Sequence, residues 1–561
     1  MDKRPLRCLV ISDFNTSNFA AYLENDEQSP LVEVLDAPFG QVIPLLTNLE
    51  ASEWAAQPDF TIIWTQPERV ILGFQSILEH KAIPLAEILA EVEAFAELIL
   101  AAAQKTRCVF IPNWILDPNN RGSGMANFRG EMGIRSVLMQ MNLRLIEKLQ
   151  TASNVFVLDS MPWLVKAGSA AFAPKLWYQA KVPLHNTVFQ EAVQDIKAGL
   201  VGFFGGARKL IVLDLDETLW GGIVGDVGWE NLRLGGHDPV GEAFVDFQRE
   251  LKALTNRGLV LGIVSKNDES VALTAIKQHP EMVLKIDQFA GWRINWQDKA
   301  ANIIELAAEL NLGLQSVVFI DDNPVERGRV REALPEVFVP EWPETPMLYR
   351  QALLGLRCFD TPSLSKEDAV RTDAYVAERK RTDLKKQAGS LDEWLLGLNI
   401  EVVVEPVTPQ NLSRTVQLLN KTNQMNLSTR RLSEAELQQW LSVPGNVFGT
   451  FRVSDKYGDS GLTGIASLTI EGTKARVVDY ILSCRVMGRR VEETLVHWLV
   501  TQARCAGVNE LSAEYLPTAK NKPCLEFFQR SGLAQEGNTF RWAMQNDYAL
   551  PQCVRLITSP A

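Results

Sequence analysis

Short apolar runs rich in β-branched residues recur along the chain, and each gives way to polar residues. Such runs, bounded by turn-forming residues, predict buried strands of a parallel sheet. In the first third they fall at Cys8–Ser12, Phe60–Trp64, Cys108–Pro112 and Val155–Asp159. Helix-period patterns fill the gaps, notably Pro84–Gln104 and Arg135–Leu149. Strands alternating with helices at this spacing predict a three-layer α/β domain over residues 1–205. A second series starts at Ile211–Leu213 and continues with Leu259–Asn267, Ser316–Pro324 and Val337–Pro340, with helices over Val245–Arg257 and from Lys299 onward. It predicts a Rossmann-like domain over 206–360, entered through the glycine-rich hinge Gly202–Gly206.

The charged stretch Ser365–Gly389 then alternates both signs, with Ser365 and Asp368 in a capping-box arrangement. With Leu391–Leu398 it reads as a helical linker over 361–398. Strands resume at Ile400–Val404, Val447–Val453, Ile465–Ile470 and Ala475–Leu482, and a long helix follows the last of them. Residues 399–561 are thus expected to form an α+β domain. The whole is an α/β multidomain protein.

Composition narrows the class. The chain has 561 residues, too many for one core. A net charge of −12 argues against a nucleic-acid backbone as partner. Seven cysteines without CxxC spacing form neither a disulfide framework nor a zinc site, which fits a reducing cytoplasm. The N-terminus has no long apolar core of a signal peptide. Glu87, Glu91, Glu93 and Glu97 make the most apolar helix amphipathic rather than membrane-spanning.

The candidate chemistry lies at the strand ends of the central domain. Asp214 and Asp216 emerge where the run Ile211–Leu213 ends, and ligands of open α/β sheets bind beyond such ends. Paired carboxylates there suit a hard divalent cation and a phosphate. One can attack phosphorus while the other handles the leaving-group proton. Ser265 closes the second strand, where its hydroxyl can hold a phosphoryl oxygen. Lys299 opens a helix and can neutralise phosphate charge, and Asp321 and Asp322 close the third strand.

Carboxylates, Ser, Lys and carboxylates in that order resemble the haloacid-dehalogenase (HAD) superfamily of phosphotransferases. The resemblance implies Asp214 as nucleophile, Asp216 as general acid/base, and Ser265 and Lys299 as phosphate ligands. It also implies Mg²⁺ held by Asp214, the backbone carbonyl of Asp216, and Asp321 with Asp322 beside it. Trp220-Gly221-Gly222, Gly225-Asp226 and Asn295-Trp296 resemble the FkbH-like branch of that superfamily. The glycine-rich stretch Trp220–Gly236 is expected to fold over the site as a hairpin-like flap.

In the last domain Arg485-Val486-Met487-Gly488-Arg489-Arg490 separates a strand from a long helix. A tight turn opening a helix presents N–H groups and a positive dipole end to phosphate. It resembles the acetyl-CoA turn of GNAT acyltransferases, with Arg490 in place of the final small residue. This implies Arg485, Gly488 and Arg489 as pantetheine-side ligands. The segment 418–431, LLNKTNQMNLSTRR, resembles an FkbH-like word and offers Asn423, Asn426 and Arg430 to a polar acyl chain. Cys484, beside Arg485 and the helix start, is a candidate nucleophile for acyl relay.

The N-terminal third bears a weaker resemblance to SGNH hydrolases. It rests on Ser12, Asp13, Asn15, Asn113, Asp159, Ser160 and a late His185, without a G-D-S-L block; strand-end capping in a structural or carrier-docking domain is the competing reading. Taken over nearly the whole chain, the FkbH-like resemblance implies a cytoplasmic enzyme that takes a glyceryl group from 1,3-bisphosphoglycerate. It places that group on the phosphopantetheine of an acyl carrier protein for polyketide-type synthesis, with neither nucleic acid nor membrane as partner. The rivals are a plain phosphatase or phosphotransferase with an ancillary domain, an acyl transferase acting on another phosphorylated or acyl-carrier substrate, and a carrier-docking module.

Overall fold

A computed structural model describes residues 4–35, 37–362, 376–381, 384–385, 388–422, 424–428, 430–518 and 521–558; the side chains of Lys421 and Cys484 are outside that description. The expected capping box at Ser365 and Asp368, and Asn423 in the candidate acyl site, lie outside the described residues. Packing divides the chain into two compact units, residues 1–211 with 312–365 and residues 212–311 with 366–561.

The N-terminal sheet holds β1 (Leu6–Ser12), β2 (Val32–Leu35), β3 (Phe60–Trp64), β4 (Cys108–Pro112) and β5 (Val155–Leu158), in the order β2-β1-β3-β4-β5. Every neighbouring pair is parallel. β3 and β4 are buried along their whole length, as the unbroken apolar runs require. β2 escapes the sequence reading because VEVL alternates, as befits an edge strand. One face is covered by the helices Leu85–Ala102 and Ile134–Leu149, the other by Asn186–Phe203. In Leu85–Ala102 the buried residues are Ile88, Val92, Phe95, Ala96, Ile99 and Ala102, a single stripe at helical spacing. Each large side chain in it contributes about 1.5–3 kcal/mol through burial. Among the described residues no helix is long and apolar enough to cross a membrane.

A four-stranded sheet follows: β6 (Leu210–Leu213), β7 (Val260–Ser265), β8 (Phe289–Ile294) and β9 (Val317–Ile320), in the order β8-β7-β6-β9. All residues of β6, β7 and β9 are buried. The expected strand at Val337–Pro340 is a single parallel bridge, Val318 to Phe338.

The C-terminal sheet comprises β10 (Ile400–Glu405), β11 (Met425–Asn426), β12 (Asn446–Asp455), β13 (Gly458–Glu471), β14 (Lys474–Leu482), β15 (Glu510–Glu514), β16 (Ala534–Glu536), β17 (Thr539–Ala543) and β18 (Val554–Thr558). Its order is β16-β17-β15-β14-β13-β12-β10-β18. β14 pairs with β15 only over Lys474–Val477. Beyond that, Ile481 and Leu482 pair with β11 instead. The helix Val491–Cys505 packs its buried face on this sheet, Trp498 meeting Phe451 edge-on at 5.4 Å.

One ionisable group in the N-terminal core couples folding to pH. Asp13 follows β1, is 7% exposed, and accepts the Gln66 amide at 2.9 Å. Burial pushes its carboxyl up to about 7. Between about pH 4 and 7 the folded chain keeps a proton that the unfolded chain has lost, so this group's contribution to stability falls as pH rises through that window. Thermal unfolding of the full chain should therefore show wild type losing ground to Asp13→Asn between pH of about 5 and about 8. A difference independent of pH contradicts this.

Candidate functional site

The motif after β6 folds as one tight turn. Thr218 and Leu219 donate their amides back to the Leu215 carbonyl at 3.1 and 2.7 Å. Glu217 sits at φ +56, a left-handed conformation that non-glycine residues adopt at a cost. Its carboxylate accepts the Gly222 amide at 2.7 Å, which holds the turn in place.

Asp214 is 7% exposed, and its Oδ2 lies 3.0 Å from Lys299 Nζ. Lys299 is 3% exposed and is the first residue of the helix Lys299–Glu309, capped by Asp298. A cation at a helix N-terminus works against the helix dipole. The nearby Asp214 carboxylate compensates it. The other oxygen, Asp214 Oδ1, is buried without a hydrogen-bond partner.

Asp216 is held from three sides. Trp220 Nε1 and the Val224 amide donate to Oδ1 at 2.8 and 3.1 Å, and Asn267 Nδ2 donates to Oδ2 at 2.8 Å. Burial nevertheless raises its pKa, with the Asp214 charge adding to the rise. Ser265, 2% exposed, is the last residue of β7, and its carbonyl accepts the Asn295 amide at 3.1 Å. Asp268, not Asn267, caps the next helix, Glu269–Gln278.

Asp321, fully buried, follows β9, and its Oδ1 accepts the Asn323 amide at 2.9 Å. Arg327 Nη1 donates to the carbonyls of Asp321 and Asp322 at 2.8 and 2.7 Å, which fixes the loop. Asp214, Asp321 and Asp322 each offer a carboxylate oxygen within 4.8 Å of the other two. This all-oxygen donor set, with the orphaned Asp214 Oδ1, fits a hard divalent cation.

Trp220 was expected in a covering flap. It is instead fully buried and anchors Asp216. The rest of the stretch is hairpin-like: Gly221 and Arg233 exchange backbone hydrogen bonds at 3.1 and 2.9 Å around the short helix Val224–Val227. Sequence reasoning missed Asn267, Trp220 and Arg327 as positioning residues. An Asn two residues past the phosphate-side Ser was the one local signal.

Four of the residues expected on the acyl side, Arg430, Asn426, Arg489 and Gly488, are engaged within the protein. Arg430 makes two hydrogen bonds to the buried Asp479, at 3.1 and 2.5 Å, and Asp479 also accepts Ser467 Oγ at 2.6 Å. Asn426 is fully buried; its Nδ2 donates to the Thr422 carbonyl and its own carbonyl accepts Asn521 Nδ2. Arg489, 3% exposed, reaches Glu378 at 2.5 Å, Asp455 at 3.3 Å and the Arg485 carbonyl at 2.6 Å. The Gly488 amide, expected to face phosphate, donates to Glu492 at 2.6 Å. Arg485 is exposed, and Cys484 lies in the short turn Cys484–Val486, where its side chain is outside the described residues.

In the N-terminal domain, Ser12 Oγ accepts the Phe14 amide at 3.2 Å, and Asn113 binds Ser160 at 2.6 Å. His185 caps the helix Asn186–Phe203.

No family model and no curated protein matches the chain. Among solved structures it is similar to the N-terminal part of BF1531 from Bacteroides fragilis, which contains a phosphatase domain and was crystallised with Mg. That likeness has 28% identity, covers 64% of this chain and 95% of that one, and has a TM-score of 0.58. A putative GNAT-family acetyltransferase from Desulfovibrio desulfuricans is similar over 26% of this chain and 99% of its own, at 16% identity and a TM-score of 0.21. Spermidine N-acetyltransferase from Vibrio cholerae, in complex with CoA and spermine, gives 14% identity, 26% and 97% coverage, and a TM-score of 0.22. The mixed α/β multidomain architecture and the HAD-like fold of the central region agree with expectation.

Removing Arg430 strands a fully buried carboxylate. Arg430→Ala should lower stability by about 3–5 kcal/mol, whereas Arg485→Ala at the surface should stay within about 0.5 kcal/mol. Denaturant unfolding of the full chain measures both. An Arg430→Ala protein as stable as wild type would return Arg430 to a ligand-binding role.

Proposed function

We propose that the chain is a Mg²⁺-dependent HAD-type phosphatase or phosphotransferase acting through Asp214. The observation that carries this reading is the Asp214–Lys299 pair, buried at the end of β6 with one carboxylate oxygen unpartnered. The similarity to a Mg-bound phosphatase domain supports it. Asp214, Asp321, Asp322 and the Asp216 carbonyl would hold the metal. When bound, Mg²⁺ supplies positive charge against the transferring phosphoryl oxygens.

The chain's own residues account for the rest. An Asp214 oxygen attacks phosphorus, forming an aspartyl-phosphate as the bond to the leaving oxygen breaks. Asp216, kept protonated to higher pH by its burial, gives that oxygen its proton. Water then attacks the aspartyl-phosphate and loses a proton to Asp216, releasing phosphate and restoring Asp214. Lys299 and the Ser265 hydroxyl hold the phosphoryl oxygens.

For the substrate, the sequence words DLDETLWGG and SCRVMGRRVE favour a glyceryl group from 1,3-bisphosphoglycerate, passed to the phosphopantetheine of an acyl carrier protein with Cys484 as relay. Those sequence words are what supports that half; Arg489, Arg430 and the Gly488 amide are engaged with other residues of the chain, and Arg485 is exposed. Loading of a holo carrier by wild type but not by Cys484→Ala, followed by intact mass spectrometry, tests it; equal loading by both removes the relay.

For the phosphatase half, phosphate release should need Mg²⁺, stop with chelator, and vanish in Asp214→Asn. Asn267→Ala, which frees Asp216, should lower kcat by about 10²-fold with KM little changed. Undiminished turnover in Asp214→Asn would overturn the reading.

A further inference from the structure

The N-terminal domain carries a cavity of about 640 Å³, within the usual range of small-molecule sites. It lies beyond the carboxyl ends of the parallel strands, where α/β sheets bind ligands. Gln66, Glu68 and Arg69 after β3 and Asp117 after β4 line it, together with Trp177 and Tyr178. The sheet holds these walls in place: Asp13 accepts the Gln66 amide, and Asn15 donates its amide and side chain to the carbonyls of Lys181 and Ala180 at 2.9 and 3.1 Å.

Glu68 Oε2 is buried without a hydrogen-bond partner. Arg69 Nε donates to Gln66 Oε1 at 3.0 Å, and its guanidinium lies 4.7 Å over the Trp177 ring. Such stacking leaves the outer N–H groups for an acceptor. Tyr178 is 80% exposed, so its ring is accessible at the cavity.

The charges of the lining limit what fits. Glu68 and Asp117 stand against Arg69 and Lys181, whose Nζ lies 5.0 Å from the Trp177 ring, so the walls carry no net charge to hold a polyanion or a polycation. Glu68 needs a donor and Arg69 an acceptor, and a hydroxyl supplies either. The exposed Tyr178 ring can meet the C–H face of a sugar ring, whereas a wholly apolar ligand would strand the carboxylates. We propose that this cavity binds a neutral carbohydrate of one or two rings. The proposal does not depend on the phosphatase reading.

Saturation-transfer NMR on the full chain with glucose, galactose, N-acetylglucosamine and cellobiose at millimolar concentration tests it, with glycine and inorganic phosphate as competing probes. Transfer to ring protons of at least one sugar is expected for wild type and, equally, for Asp214→Asn. Trp177→Ala and Glu68→Ala should each weaken it about tenfold. If Trp177→Ala fails to fold, Glu68→Ala still decides the question. Transfer to none of the sugars, binding of glycine or phosphate alone, or sugar binding undiminished in folded variants overturns the proposal.

Discussion

A carboxylate and an ammonium, both withdrawn from water, meet where β6 ends. Asp214 and Lys299 come from a strand terminus and a helix start 3.0 Å apart, and each is in a place it would not occupy alone. A buried charge without a partner is strongly destabilising. A lysine at a helix N-terminus opposes the backbone dipole. Each resolves the other's difficulty, and the pair fixes the point at which a phosphoryl group can be held.

Around that pair the local chain is committed to positioning. The turn after β6 accepts a left-handed Glu217 so that Asp214 and Asp216 leave one strand end together. Asp216 is pinned by an indole, an amide and a backbone N–H, an arrangement that orients it while burial raises its pKa. Arg327 spends a guanidinium on two carbonyls to fix the Asp321–Asp322 loop. In the C-terminal sheet the same economy works the other way. Arg430, Arg489 and the Gly488 amide bond to the buried Asp479, Asp455 and Glu492, and the Asn426 carbonyl accepts the Asn521 side chain.

The apolar runs made β1, β3, β4 and β6 legible, because a strand buried on both faces leaves no polar position to interrupt it. β2 was not, since its alternation resembles a loop or edge. The site carboxylates were legible because strand-end position is a local property. The support from Asn267 was not, as it lies 51 positions from Asp216, and in the C-terminal sheet Arg430 likewise lies 49 from Asp479. Hydrogen bonds over such separations leave no periodic trace. Glu492 turning back onto Gly488 is local, yet a turn motif read for its N–H groups does not reveal that the chain fills them itself.

In the proposed reaction an Asp214 carboxylate oxygen takes the phosphoryl group. The most direct measurement is to quench the Mg²⁺-loaded enzyme during turnover, reduce it with borohydride and locate the modified residue by peptide mass spectrometry. Reduction confined to Asp214 is the predicted result. Turnover with no modification at Asp214, or with modification at another carboxylate, would contradict the claim.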